Sequence, residues 1–227
     1  MERIIETRRD FLKQASLALT LPIIFGCGKY GQAQVPGSDL LGELRANAIS
    51  DPNCGGCGAR DVPADVSWRT KLAPASDKGE RILINGTVYG PNGRSPVANT
   101  LIYLYHTDIY GIYGRNGEHK HGRYRGWMLT DQRGRYEFET IMPASYPDST
   151  IAKHIHMTVT GRNRKEDSID SILFEGDRFL TASERIPSKG GFDPVLKLVK
   201  NSDGISRGVR DIRLGCRSDE VDEESVF

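Results

Sequence analysis

Three pieces of sequence decide how this chain folds: Tyr-Leu-Tyr-His-Thr-Asp-Ile-Tyr-Gly-Ile-Tyr at 103–113, Tyr-Glu-Phe-Glu-Thr-Ile-Met-Pro-Ala-Ser-Tyr-Pro at 136–147, and Lys-His-Ile-His-Met at 153–157. Each begins or ends as an alternating, β-branched or aromatic run, the pattern of a strand with one buried face. In the last piece His154 and His156 stand two apart. Strand side chains alternate between faces, so both imidazoles look the same way from one rigid element. That arrangement suits a metal. Tyr113 and Tyr146 leave their strands at loops fixed by Gly111 and by Pro143 and Pro147, and their oxygens are available donors.

Working outward, short β-type runs recur from residue 81. Strands are expected at Arg81–Tyr89, Ala98–Tyr105, Trp127–Thr130, Arg135–Ile141, His154–Thr160, Ser171–Phe174, Val195–Val199 and Val209–Leu214. Turn signals separate them at Pro91-Asn92-Gly93, Asp131–Gly134, Gly161-Arg162-Asn163 and Asn201–Gly204. Many short strands at regular spacing predict an all-β antiparallel sandwich over 81–216. Residues 27–80, rich in Gly, Pro, Ala, Ser and Asp, read as a linker and irregular N-terminal arm, and 217–227 as an acidic tail.

Residues 1–26 have the make-up of an export signal: basic residues, then an apolar stretch from Ala15 to Phe25, shorter than the ~20 residues of a spanning helix. Thr7-Arg8-Arg9-Asp10-Phe11-Leu12-Lys13 resembles a twin-arginine signal. Ile24-Phe25-Gly26-Cys27 resembles a lipoprotein cleavage box, with Cys27 as the lipidated residue. A periplasmic or membrane-anchored protein is therefore expected. In an oxidising compartment Cys54-Gly55-Gly56-Cys57 reads as a disulfide pair, or as one partner for Cys216. One CxxC is too few for a structural zinc site.

The chain of 227 residues is 37% hydrophobic and 27% charged, with net charge +1. It is long enough for one substantial core and carries no field that would draw nucleic acid. Function has to come from a site. Of five histidines, His119 and His121 lie in a polar loop, expected open to solvent or at the mouth of a site, and His106 is ambiguous.

From about Ile82 to Asp177 the chain resembles the intradiol ring-cleavage dioxygenases, the catechol and protocatechuate family. Tyr105, Asp108 and Gly111-Ile112-Tyr113 match its first motif. Thr130, Asp131, Gly134, Tyr136, Phe138, Thr140, Ile141 and Pro143 match its second, with Tyr146 three beyond the proline, and His154-Ile155-His156 its third. The resemblance implies a prealbumin-like β-sandwich and a non-haem Fe(III) held by Tyr113, Tyr146, His154 and His156. Phenolate and imidazole donors suit ferric iron, and two phenolates plus hydroxide balance its charge. It also implies a catechol-like substrate and O2, with Tyr113 and Tyr146 as catalytic ligands. The tyrosine corresponding to Tyr146 is displaced by the diol and takes up a proton.

Two positions depart from the family. Its arginine three residues before the first ligand histidine is Ile151 here, and its glutamine after the histidine strand is Ser171. Losing such a charge-stabilising donor costs about 10²–10³ in rate. Lys153, Arg162 and Arg164 are the nearby cations, and strand alternation turns Lys153 away from the histidines. Two other readings stand beside the enzyme: a metal-binding sandwich that no longer cleaves rings, and a transthyretin-like binding module without metal.

Overall fold

The fold is set by which face of each strand is apolar. In the computed structural model, which describes residues 39–49, 58–114 and 119–215, the alternation in Arg81–Tyr89 (β2) points Ile82, Ile84 and Val88 to one side. Tyr136 and Phe138 of Arg135–Ile141 (β5) join them from the antiparallel neighbour, Ile84 lying opposite Phe138. The facing sheet supplies Ile102 and Leu104 from Leu101–His106 (β3). His154–Gly161 (β6) adds Ile155, Met157 and Val159, and Arg164–Phe174 (β7) adds Ile172 and Phe174. These side chains form one continuous buried cluster between two sheets.

The remaining strands are Arg69–Lys71 (β1), Arg125–Leu129 (β4), Val195–Leu196 (β8), Val199–Lys200 (β9), Ser206–Val209 (β10) and Ile212–Arg213 (β11). One sheet runs β1-β5-β2-β10-β9, with β11 also on β2, and the other β4-β3-β6-β7-β8. The β-sandwich is as expected, but the sheets are mixed. The central pairs are antiparallel, while β1–β5, β10–β2, β11–β2 and β7–β8 are parallel.

Several strand limits differ from the sequence expectation, each for a physical reason. Asn99 takes a left-handed φ of 58°, so β3 starts at Leu101 and not at Ala98. The single run expected at Val195–Val199 divides, β8 going to one sheet and β9 to the other. The run expected at Val209–Leu214 breaks at Arg210, which is 1% exposed, with Nη1 bonded to the Phe192 carbonyl at 2.8 Å. β7 begins at Arg164, not Ser171, because its buried positions hold polar residues and hide the alternation. Glu166 accepts from Thr158 Oγ1 at 2.7 Å and from the amides of Ile49 and Ala59 at 3.2 Å.

Those last contacts show that the segment read as an irregular arm is built onto the sheet. It carries a helix, Leu40–Ala46 (α1), whose Asp39 side chain caps the Gly42 amide at 3.0 Å. Leu44 is buried against Ala59, Val62 and Leu101. The four cysteines lie outside the described residues.

His106 ends β3 inside the core with no exposed surface. Its Nδ1 donates to the Thr107 carbonyl at 2.7 Å, leaving Nε2 to accept from Thr140 Oγ1 at 2.7 Å. Burial holds its pKa down at about 4, against 6.5 in an unfolded chain. Below 6.5 the unfolded state binds a proton that the folded state refuses, so stability is intact above 6.5 and falls as pH drops to 4. The full loss is about 3 kcal/mol. Urea midpoints measured from pH 7 to pH 4 should therefore decline, and His106→Gln should flatten part of that slope while lowering stability at pH 7.

Candidate metal centre

The strand pairing decides where the site lies. Tyr105 of β3 lies opposite His156 of β6, and Tyr103 opposite Thr158. With Ile102, Leu104, Ile155 and Met157 turned into the core, His154, His156, Tyr103 and Tyr105 share the outer face of the five-stranded sheet. The site is on that face, under loops, and not between the sheets.

Two loops bring the tyrosines over the histidines, and backbone contacts lock one loop to the other. The Asp108 carbonyl accepts from Gly111 N and from Ala144 N, both at 3.1 Å. Thr107 Oγ1 donates to the Ala144 carbonyl at 2.7 Å. Asp108 Oδ1 accepts from the amides of Tyr110 and Ile112 at 2.8 and 3.0 Å, closing the turn that precedes Tyr113. Gly111 has φ 79°, and a Cβ there would collide with the Ser145 carbonyl oxygen. The glycine is what lets the Tyr113 loop touch the Tyr146 loop.

All four residues expected to form the site come together. Tyr113 Oη lies 2.6 Å from Tyr146 Oη. Tyr146 Oη lies 3.1 Å from His154 Nε2 and 3.3 Å from His156 Nε2, and the two Nε2 atoms are 3.0 Å apart. Nδ1 of His154 faces the Ala152 carbonyl at 2.7 Å, so it is the protonated nitrogen and Nε2 turns a lone pair to the cluster. Donor atoms bonded at about 2.1 Å to one ion stand about 3.0–3.4 Å from one another. The two imidazole nitrogens and the Tyr146 oxygen, at 3.0–3.3 Å from one another, meet that requirement, and the Tyr113 oxygen stands a few tenths of an ångström too near Tyr146, at 2.6 Å. No group of three His, Cys, Asp or Glu occurs among the described residues, so a metal here depends on the phenols.

The electrostatics favour neutral groups until a cation arrives. Burial, reinforced by the hydrogen bond that the neutral Tyr113 hydroxyl donates to Tyr146, pushes the Tyr113 hydroxyl well above the usual tyrosine range. Burial and the neighbouring histidines hold His156 down at about 4, so its ring is neutral near pH 7. A bound cation would reverse the tyrosine shift by favouring phenolate.

His119 and His121 are not open to solvent as expected; both are partly buried. The His121 ring stacks on Tyr105 at 3.9 Å and 4°, and the other face of Tyr105 packs on His156 at 4.7 Å. Nδ1 of His121 lies 2.9 Å from Tyr103 Oη. Gly122, at φ 70°, permits this loop to cross directly over the Tyr113 backbone. His121 thus belongs to the wall of the site, the second of the two places expected for this loop.

Beside the histidines lies a cavity of about 360 Å³ lined by Ile151, His154, His156, Asp170, Ser171, Leu173, Ser183, Glu184, Ile186, Ser188 and Pro194. Ile151 and Ser171, the two departures from the family pattern, are both in its wall. Ser171 faces inward because β7 bulges there: Ile155 pairs with Ile172 and Met157 with Ile169, so two residues oppose His156. Its Oγ is 3.3 Å from His156 Nδ1. None of the three nearby cations replaces the family's arginine. Lys153 turns to Asp177, Arg162 pairs with Glu43 at 2.8 Å, and Arg164 donates to the Gly215 carbonyl at 2.6 Å.

Fold and site together define a class: a β-sandwich presenting two imidazoles from one strand to two phenols from loops. A family model described as Dioxygenase matches residues 62–208, and the chain belongs to this family, that of the intradiol dioxygenases. The chain is 37% identical over 149 residues to catechol 1,2-dioxygenase 1 of Acinetobacter lwoffii, covering 53% of this chain and 47% of that protein. It is 26% identical over 126 residues to catechol 1,2-dioxygenase of Acinetobacter baylyi, covering 53% and 40%. The chain thus spans less than half the length of these curated relatives. Among solved structures, catechol 1,2-dioxygenase from Acinetobacter sp. ADP1 superposes with a TM-score of 0.56 at 21% identity, covering 71% of this chain and 61% of that one. The dioxygenase domain of a dioxygenase carbohydrate-binding protein fusion from Streptomyces sp. SirexAA-E gives 0.52 at 24%, covering 67% and 91%. At these identities the superpositions speak for the fold alone.

Gly111→Ala tests the loop lock. A side chain there forces a positive φ on alanine and drives the two loops apart, at a cost of at least about 2 kcal/mol. The urea midpoint should fall, and the near-ultraviolet tyrosine signal should weaken as Tyr113 and Tyr146 separate.

Proposed function

We propose that this chain is an exported, Fe(III)-dependent intradiol dioxygenase that opens a catechol-like ring with O2 between the two hydroxyl carbons. The observation that carries the reading is the gathering of Tyr113, Tyr146, His154 and His156 through contacts of 2.6–3.3 Å, beside a cavity that the two histidines line and that is large enough for one substituted ring. In the reaction the carbon–carbon bond between the hydroxyl carbons breaks, both oxygen atoms enter the product, and a muconate-type diacid results with no other reductant.

A bound ferric ion supplies a Lewis-acidic centre at which a diol becomes electron-rich toward O2. The protein's own groups do the rest. The Ala152 carbonyl holds His154 in the tautomer that turns Nε2 inward. Tyr105 covers one side of His156 and keeps water from it. Tyr146, whose oxygen touches the other three donors, is placed to accept a proton from an incoming diol. Ile151, Leu173 and Pro194 give the ring an apolar seat.

Export is proposed from Arg8-Arg9 and the apolar stretch after them, with Cys27 as the lipid anchor. Residues 1–38, which carry these features, lie outside the described residues.

Purified protein should bind iron at one atom per chain and be burgundy-red from tyrosinate-to-iron charge transfer. Tyr113→Phe and His156→Ala should each lose the metal or the colour, measured by elemental analysis and visible spectra. If both variants keep full iron and an unchanged spectrum, the ligand assignment is wrong. Red protein that shows neither a spectral response to catechol nor O2 uptake would hold metal without cleaving rings, the second reading that Ile151 and Ser171 keep open.

A further inference from the structure

The cavity beside the histidines carries two negative charges and no positive one. Asp170 and Glu184 are in its wall, and no lysine or arginine lines it. Each carboxylate is fixed by one oxygen. Asp170 Oδ2 accepts from Ser188 N at 2.8 Å, while Glu184 Oε2 accepts from Thr181 N at 2.8 Å and from Thr181 Oγ1 at 2.7 Å. The other oxygen of each has no hydrogen-bond partner among the described residues. The neighbouring cations turn away: Arg185, which follows Glu184, onto Glu175 with two bonds of 2.8 and 2.9 Å, and Lys189, which follows Ser188, onto Asp167 at 3.0 Å. Buried Arg210 feels the charge of Asp170 but does not line the cavity, spending Nη1 on the carbonyls of Phe192 and Asp211.

The rest of the wall tells what kind of molecule the carboxylates would meet. Ile151 is 50% and Ile186 71% exposed, aliphatic groups left at the cavity's edge with nothing on them. Ser171, Ser183 and Ser188 add only neutral hydroxyls. A ring seated against His154 and His156 therefore shares its cavity with apolar side chains and with two carboxylates.

We infer that this cavity selects catechols bearing a cationic side chain, with Asp170 and Glu184 as the groups that recognise the cation. The inference rests on the dioxygenase reading above and adds to it the charge class of the substrate. Because Arg210 offsets part of the charge of Asp170, Glu184 contributes the larger share. An anionic catechol meets two like charges in a partly dehydrated pocket and is disfavoured for the same reason.

The test varies charge at constant shape. Iron-loaded full chain is titrated without O2 against 4-(2-aminoethyl)catechol, 4-ethylcatechol and 3,4-dihydroxyphenylacetate, dissociation constants being read from the visible band; kcat/KM is then measured by O2 uptake. The aminoethyl compound should bind about fivefold more tightly than the ethyl compound, and the acetate about fivefold more weakly, for partly exposed charges. Asp170→Asn and Glu184→Gln keep the acceptor oxygens that hold their loops, and each should draw the aminoethyl-to-ethyl ratio toward one, Glu184→Gln more strongly. Glu184→Lys should reverse the order in favour of the acetate. Equal constants for the three compounds, or ratios that survive both amide substitutions, would overturn the inference while leaving ring cleavage standing. Failure of 4-ethylcatechol and catechol alike to shift the band or consume O2 would bring down the dioxygenase reading and this inference with it.

Discussion

The Asp108 carbonyl, accepting from Gly111 on its own loop and from Ala144 on the other, is the contact on which the site depends. Neither tyrosine sits on a strand. Each hangs from a loop, and a loop alone would not hold a phenol oxygen within a few tenths of an ångström of a metal's requirement. Joining the loops through backbone, with Thr107 and the side chain of Asp108 adding three more bonds, makes one rigid unit of two flexible pieces. The unit then needs to be placed only once over the histidine strand. Its 2.6 Å separation of Tyr113 and Tyr146 is the outcome.

The histidines are fixed more simply, by strand alternation, but that simplicity has a consequence. Turning His154 and His156 away from the core puts them on a sheet face that would otherwise meet water. The chain covers this face with aromatic rings, Tyr105 between His121 and His156, and with the loop crossing at Gly122. Cover lowers the basicity of His156 and His121 to about 4, which keeps their nitrogens unprotonated and able to act as donors near neutral pH. Further along the same face the N-terminal segment does the covering, through Leu44, Ala59 and Val62 and the bonds to Glu166.

Much of this was legible in the sequence because it follows from period-two patterns and turn chemistry. The strands β2, β5 and β6, their turns, and the shared face of His154 and His156 all come from local rules. What escaped was non-local. The first half of β7 fills its buried positions with Arg164 and Glu166, whose partners lie on distant segments, so the alternation of apolar residues vanished. Helix α1 and strand β1 are too short to show a period. The parallel edge strands depend on crossings between sheets that turn residues do not reveal. His121 looked like a loop residue among charges, and only the stack on Tyr105 shows its place.

The two departures from the family pattern become intelligible together. A guanidinium at 151 would have stood in the same cavity wall as Asp170 and Glu184 and offset their charge; isoleucine leaves that charge uncompensated in the wall. A glutamine at 171 would have reached from the bulge opposite His156 into that space, whereas serine stops near the ring at 3.3 Å from Nδ1. Both changes take away donors, and both leave room, so the 360 Å³ beside the histidines is lined by aliphatic side chains and two carboxylates with no cation among them. The four donor atoms are untouched by either change, since they are held by the loop lock and by the strand. On the proposed reading, metal chemistry and substrate choice are thus carried by separate parts of the site, and the second can drift in charge while the first stays fixed.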